Sequence, residues 1–242
     1  SLLDKTNLLI TPNAVKAGKL YSVIPASGTG DCTVVRNTTA TRTNSAGIIV
    51  SSAANIARIN YLTASGIPLI LDEPQRTNSL IFSELFSNSN YAKTSISLSE
   101  TTILTPTNST NSFLLNASVT SNTVGIAGNT SYTSGLTYTI SVFAKAGTTN
   151  FISLTGGTSG FGNAQFAVFN IQNGTISSQT GGTATILAYA NGFYRCSFSV
   201  VATSSSASNS ALVITPSFDG ASRIQSTQNL NVNIHRQQGQ LK

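Results

Sequence analysis

The sequence predicts an all-β protein: an antiparallel β-sandwich preceded by an extended N-terminal arm with short strands. Three observations predict it. The chain is 40% hydrophobic and only 8% charged, with Ser, Thr, Asn and Gly between modest apolar residues, a mixture that suits half-buried pleated strands and tight turns. Two Asn-Gly pairs, Asn173-Gly174 and Asn191-Gly192, each separate two apolar-patterned runs, the signature of a hairpin. Finally, Tyr138, Ile140, Val142 and Ala144 alternate with Thr137, Thr139, Ser141, Phe143 and Lys145, the period of a strand with at least one buried face.

At 242 residues the chain can bury a real core. We expect an arm over residues 1–78 and a sandwich over 79–242. In the arm, strand signals end at Pro12 and at Pro25, Gly28 to Asp31 forms a turn, and Ile67 to Leu71 forms a brief strand stopped by Asp72-Glu73-Pro74. Such a segment has too little apolar surface for a core of its own, so it should dock on the following domain, a neighbouring subunit or a larger assembly. Glu73 is expected to pair with Arg58 or Arg76 and so pin the arm to the domain, with Asn78 a further arm-domain contact at the same junction. Phe82 to Asn88 has room for one helical turn, although Ser and Asn disfavour a longer one.

In the sandwich, Phe151 to Leu154 leads into a Gly-rich loop, Gly156 to Gly162, expected at the surface. Asn173-Gly174 follows the run Gln165 to Gln172, and Asn191-Gly192 joins Thr185–Tyr189 to Phe193–Val201. Thr203 to Ser210 reads as a polar loop, Leu212 to Ile214 as a short strand ended by Pro216, and Leu230 to Ile234 as the closing strand. Cys196 shares a face with Tyr194, Phe198 and Val200 and should point inward. It and Cys32 are the two cysteines, read as structural thiols, with a bond between them left open.

Four ordered phrases carry a resemblance. They are Arg36-Asn37-Thr38-Thr39-Ala40-Thr41-Arg42; Asn44 to Ile49; Ala53-Ala54-Asn55-Ile56-Ala57-Arg58-Ile59-Asn60-Tyr61; and Ile70-Leu71-Asp72-Glu73-Pro74-Gln75-Arg76-Thr77-Asn78. In this order the phrases resemble the leader of tailed-phage head-spike and tail-fibre proteins. Phe82 to Lys93, with Tyr91 where the family usually has Trp, is similar to the start of that family's lectin-like jelly roll, as are Val142 to Gly147, Phe169 to Gly174 and Asn191 to Cys196. The resemblance covers roughly residues 34–200. It implies a head-spike or tail-fibre protein on the particle exterior, a homotrimer contacting other capsid or tail proteins, with a host-surface glycan as its candidate ligand. The alternative is a monomeric carbohydrate-binding module of a secreted or phage-borne glycan-degrading enzyme; a third reading is a structural capsid or tail protein without a ligand. The chain starts at Ser1 and contains no Met, which suggests a fragment, a processed product or part of a longer protein.

The chemistry points away from an enzyme. His235 is the single histidine, too few imidazoles for a multi-histidine metal site, and is read as a surface or interface residue. Asp72 and Glu73 are adjacent on an extended chain and so face opposite ways, unlike a glycosidase pair. The Gly156–Gly162 loop lacks the Lys-Ser/Thr of a phosphate loop. No cofactor is expected. The net charge of +6 reflects few acids rather than a basic stripe, which argues against nucleic-acid binding, and no apolar run is long enough for membrane insertion. For a glycan, Tyr132, Phe161 and Tyr189 are the aromatics near loops or strand ends and are the candidate stacking residues.

Overall fold

Asn191 and Gly192 take positive φ, 61° and 74°, the left-handed pair that a tight hairpin turn demands. They join β16 (Gly182–Ala188) to β17 (Tyr194–Val201), paired from Ala188↔Tyr194 to Gly182↔Val200. The structure, a computed structural model, describes residues 9–16, 19–24, 32–61, 66–73, 77–117, 124–162, 165–217 and 230–241. The expected turn at 28–31 and Arg76 lie outside them. The chain divides into two units. The first is Ser1–Pro74 with Pro106–Asn108, and the second is Gln75–Thr105 with Ser109–Lys242.

The first unit contains β1 (Leu9–Lys16), β2 (Lys19–Ile24), β3 (Cys32–Thr33), β4 (Ala40–Thr43), β5 (Ile49–Ser52), β6 (Ile59–Tyr61) and β7 (Pro68–Ile70). β1 does not stop at Pro12 as expected. It runs on to Lys16 with its pairing to β2 interrupted between Ile10 and Val15, an irregularity that accommodates a residue with no N–H. Leu20, Ala57 and Ile59 form the unit's buried cluster. Much of its order comes instead from side chains bonding backbone. The Arg36 guanidinium donates to the carbonyls of Ser52, Ala53 and Ile56, Arg42 Nη1 donates to Ile59 O at 3.1 Å, and Asn60 Oδ1 accepts from Thr43 N at 2.7 Å. The arginine bonds are charge-assisted, roughly twice as strong as neutral ones, and with the Asn60 bond supplement the ladders of such short strands.

The second unit is the all-β sandwich, with two six-stranded antiparallel sheets. Its remaining strands are β8 (Tyr91–Thr94), β9 (Ile96–Thr101), β10 (Ser112–Ala117), β11 (Gly125–Tyr132), β12 (Thr137–Ala146), β13 (Phe151–Gly156), β14 (Phe166–Asn170), β15 (Thr175–Thr180), β18 (Ser206–Ser217) and β19 (Leu230–Leu241). One sheet runs β16-β17-β12-β19-β10-β9 and the other β15-β14-β13-β18-β11-β8. Ile140, Val142, Ala144, Cys196 and Phe198 of the first meet Ile152, Leu154, Phe169 and Ile214 of the second in one core. The expected Asn173-Gly174 hairpin forms, with Asn170↔Thr175 closing a four-residue loop between β14 and β15.

Three expectations need correction. The Gly-rich loop is not a loose surface segment: Thr158–Phe161 forms a helical turn, α1, whose Phe161 is fully buried and whose Gly160 lies against Tyr132. Ser206–Ser210 belongs to β18, paired with β11, and β18 continues through Pro216 to Ser217. The closing strand β19 extends to Leu241 along β12. Both strands are polar over long stretches, so their place in the ladder, rather than their apolar pattern, makes them strands. No disulfide joins the two cysteines; Cys196 is buried in the core and Cys32 half-buried.

Candidate binding site

Asn78 organises the segment that leads into the sandwich. Its side chain accepts from Leu80 N at 3.2 Å and donates to Leu80 O at 2.9 Å and to Ser83 Oγ at 2.6 Å. Turns then follow at 82–85, 85–88 and 88–91, each closed by an N–H to the carbonyl three residues back, so no helix forms here. The result is a segment with two directions. Leu80 and Phe86 are buried, Phe86 lying 5.3 Å from the Tyr91 ring and 5.8 Å from the Phe113 ring. Ile81, Phe82 and Leu85 face out at 80%, 38% and 46% exposure.

Opposite these residues β19 carries a bulge. Val142 pairs with Gln237 and Phe143 with His235, leaving Arg236 as the extra residue, at φ 45°. Positive φ is uncommon outside glycine, and here it re-aims a side chain, as bulges do. Arg236 Nε donates to Glu84 Oε1 at 2.6 Å and Nη2 donates to the same oxygen. Asn111 Nδ2 donates to Glu84 Oε2 at 3.0 Å. Burial pushes the Glu84 carboxyl up, but the hydrogen bond and charge of Arg236, the charge of His235 and the Asn111 amide together hold it below its usual range.

His235, expected at the surface or an interface, is 1% exposed within the second unit. Its ring lies 6.2 Å from that of Phe143, and Nδ1 is 3.4 Å from Asn111 O. Burial pushes its pKa down; the Asn111 carbonyl and the Glu84 charge raise it and Arg236 lowers it, leaving it below the ordinary value. Gln238 lies beyond the bulge, its Oε1 accepting from Arg195 Nη2 at 3.4 Å. Ile81, Phe82, Ser83, Glu84, Leu85, Arg236 and Gln238 line an open cleft of about 400 Å³, within the range of small-ligand sites.

No protein-family model matches the chain, and no curated protein matches it. Among solved structures, the enzymatically active domain of tailspike protein 4 of bacteriophage CBA120 is similar at 15% identity, with a TM-score of 0.36, over 68% of this chain and 21% of that one. The chain thus spans about a fifth of that structure's length.

The residues singled out in the sequence are scattered. Tyr132 and Phe161 are 4% and 0% exposed, 5.4 Å apart within the core, so neither ring offers a face to a sugar. That corrects the stacking expectation for both. Tyr189 is half-buried and packs edge-on against Phe143 at 5.1 Å. Arg58 Nη1 and Glu73 Oε2 pair at 3.0 Å, and both belong to the first unit, so the pair fastens that unit internally. Asn78 bonds within the second unit. Phe82 and Glu84 fall within the phage-like phrase Phe82 to Lys93, and Arg236 follows the single histidine in sequence without a motif of its own. No local signal joins Glu84 to Arg236, which lie 152 positions apart in the chain. Among the described residues no three His, Cys, Asp or Glu cluster to hold a metal, and no helix is long and apolar enough to cross a membrane.

Proposed function

We propose that the chain is a non-catalytic component on the exterior of a tailed-phage particle, a head-spike or tail-fibre protein acting in assembly and host-surface adhesion. In this reading the first unit docks on neighbouring subunits or on other particle proteins, and the sandwich meets the host. The supporting observation is how the phage-like phrases are used. Arg36, Arg42, Asn55, Arg58 and Asn60 of those phrases hold the first unit together through hydrogen bonds to backbone groups. Among the described residues that unit buries three apolar residues as its core cluster while Val35, Ile67 and Leu69 stay exposed at 77%, 55% and 43%. A frame rigid in its backbone yet poor in core is suited to completing its burial against a partner. Adhesion is favoured over hydrolysis because Glu84 is the one carboxylate among the described residues lining the cleft, and cutting a glycosidic bond normally takes two.

A second reading, a monomeric carbohydrate-binding module, is favoured by the cleft being lined wholly by residues of the second unit. Light scattering coupled to size exclusion separates the two. The fibre reading expects a trimer for the full chain and monomers after deletion of residues 1–66; a monomeric full chain would sink it in favour of the module.

A further inference from the structure

From the chemistry of the cleft between the 81–85 segment and the β19 bulge, we infer that it binds an uncharged hexose unit of a glycan. The inference rests on the adhesive reading above and names the ligand class of that site. Saccharides are held by an apolar face for the C–H side of the ring and by fixed planar polar groups for neighbouring hydroxyls. Phe82 is a 38% exposed aromatic between exposed Ile81 and Leu85, which supplies the apolar face. The polar side is immobilised in advance. Arg236 and Asn111 occupy both oxygens of Glu84, while Arg195 holds the Gln238 carbonyl and so turns its amide N–H groups to the other side. Pre-ordered groups lose little freedom on binding.

Charge selects among sugars. The Arg236 guanidinium is neutralised by Glu84, with side chains 25% and 37% exposed respectively. A uronate or sialate would have to bring its carboxylate beside that of Glu84, whereas hydroxyls can donate to Glu84 and accept from Gln238 without displacing the pair. Phe82 is the stacking residue, Gln238 and Glu84 are the hydroxyl partners, and Arg236 and Asn111 position Glu84.

Saturation-transfer NMR on the full-length chain tests this, with glucose, galactose and N-acetylglucosamine set against galacturonate and N-acetylneuraminate. The full chain and the same variants are also assayed for adsorption to intact bacteria. Transfer to at least one neutral sugar is expected, with Phe82→Ala and Gln238→Ala each weakening it about tenfold, the loss of one hydrogen bond or contact, and Phe82→Tyr retaining it. Binding undiminished in both alanine variants overturns the cleft assignment, as does tighter binding of the acidic sugars. Adsorption to bacteria without transfer to any neutral sugar overturns the ligand class and leaves the adhesive reading standing; absence of both overturns both.

Discussion

His235 is packed against Phe143 with its Nδ1 at the Asn111 carbonyl and with Glu84 and Arg236 as its charged neighbours. Its folded pKa is lowered, so the unfolded chain takes up a proton near the ordinary value of about 6.5 before the native state does. Protons bound preferentially by the unfolded state make stability rise with pH. The sign is therefore fixed: the contribution of His235 is fully present above about pH 6.5 and is lost as pH falls toward the folded value. Glu84, also lowered, acts in the same direction below about pH 4.5. Urea unfolding should accordingly give a free energy that falls from pH 7 to pH 5, and His235→Gln should flatten that part of the profile. A wild-type stability that rises over this interval would contradict the assignment of His235 as a buried neutral group. The sequence offered a lone histidine beside an arginine and no means of placing it, because its burial is created by residues 111 and 143, far away in the chain.

Among the elements, those with local signals were legible. The two Asn-Gly hairpins and the alternation of β12 rest on turn chemistry and a two-residue period, which act over a few residues. The elements that were missed depend on distant partners. α1 forms in a Gly-rich stretch because Gly160 lets the chain pass against Tyr132 and because Thr203 N donates to Gly160 O at 2.8 Å. A Cβ at position 160 would lie 2.5 Å from Tyr132 Cζ, and a buried ring has little room to withdraw. Gly160→Ala should therefore destabilise the chain by roughly 1–3 kcal/mol, the usual cost of overpacking, seen as a lower urea midpoint with an unchanged slope. An unchanged midpoint would mean that α1 is a loose loop after all. The polar half of β18 reads as a loop, and the closing strand as ending at Ile234, for the same reason: the pairing of β18 with β11 and of β19 with β12 is tertiary, and no apolar alternation announces it.

For the whole molecule, the all-β class was legible because composition and turn signals repeat along most of the chain. The cleft was not, since Glu84 and Arg236 are 152 positions apart and meet only when β19 takes its place between β12 and β10. The arm was legible as a segment short of apolar residues, while the use of Arg36 and Arg42 to supplement its short strand ladders was visible only in three dimensions. These features lead to one central proposal, a virion protein whose first unit is built for assembly and whose sandwich carries an open, neutral, ring-sized cleft. The most direct measurement is immunogold electron microscopy of intact particles of the parent phage, using antibodies raised against the full chain. Gold on the exterior of intact particles, at a spike or fibre, is the expected result; label that appears only after the particles are disrupted, or not at all, would contradict it.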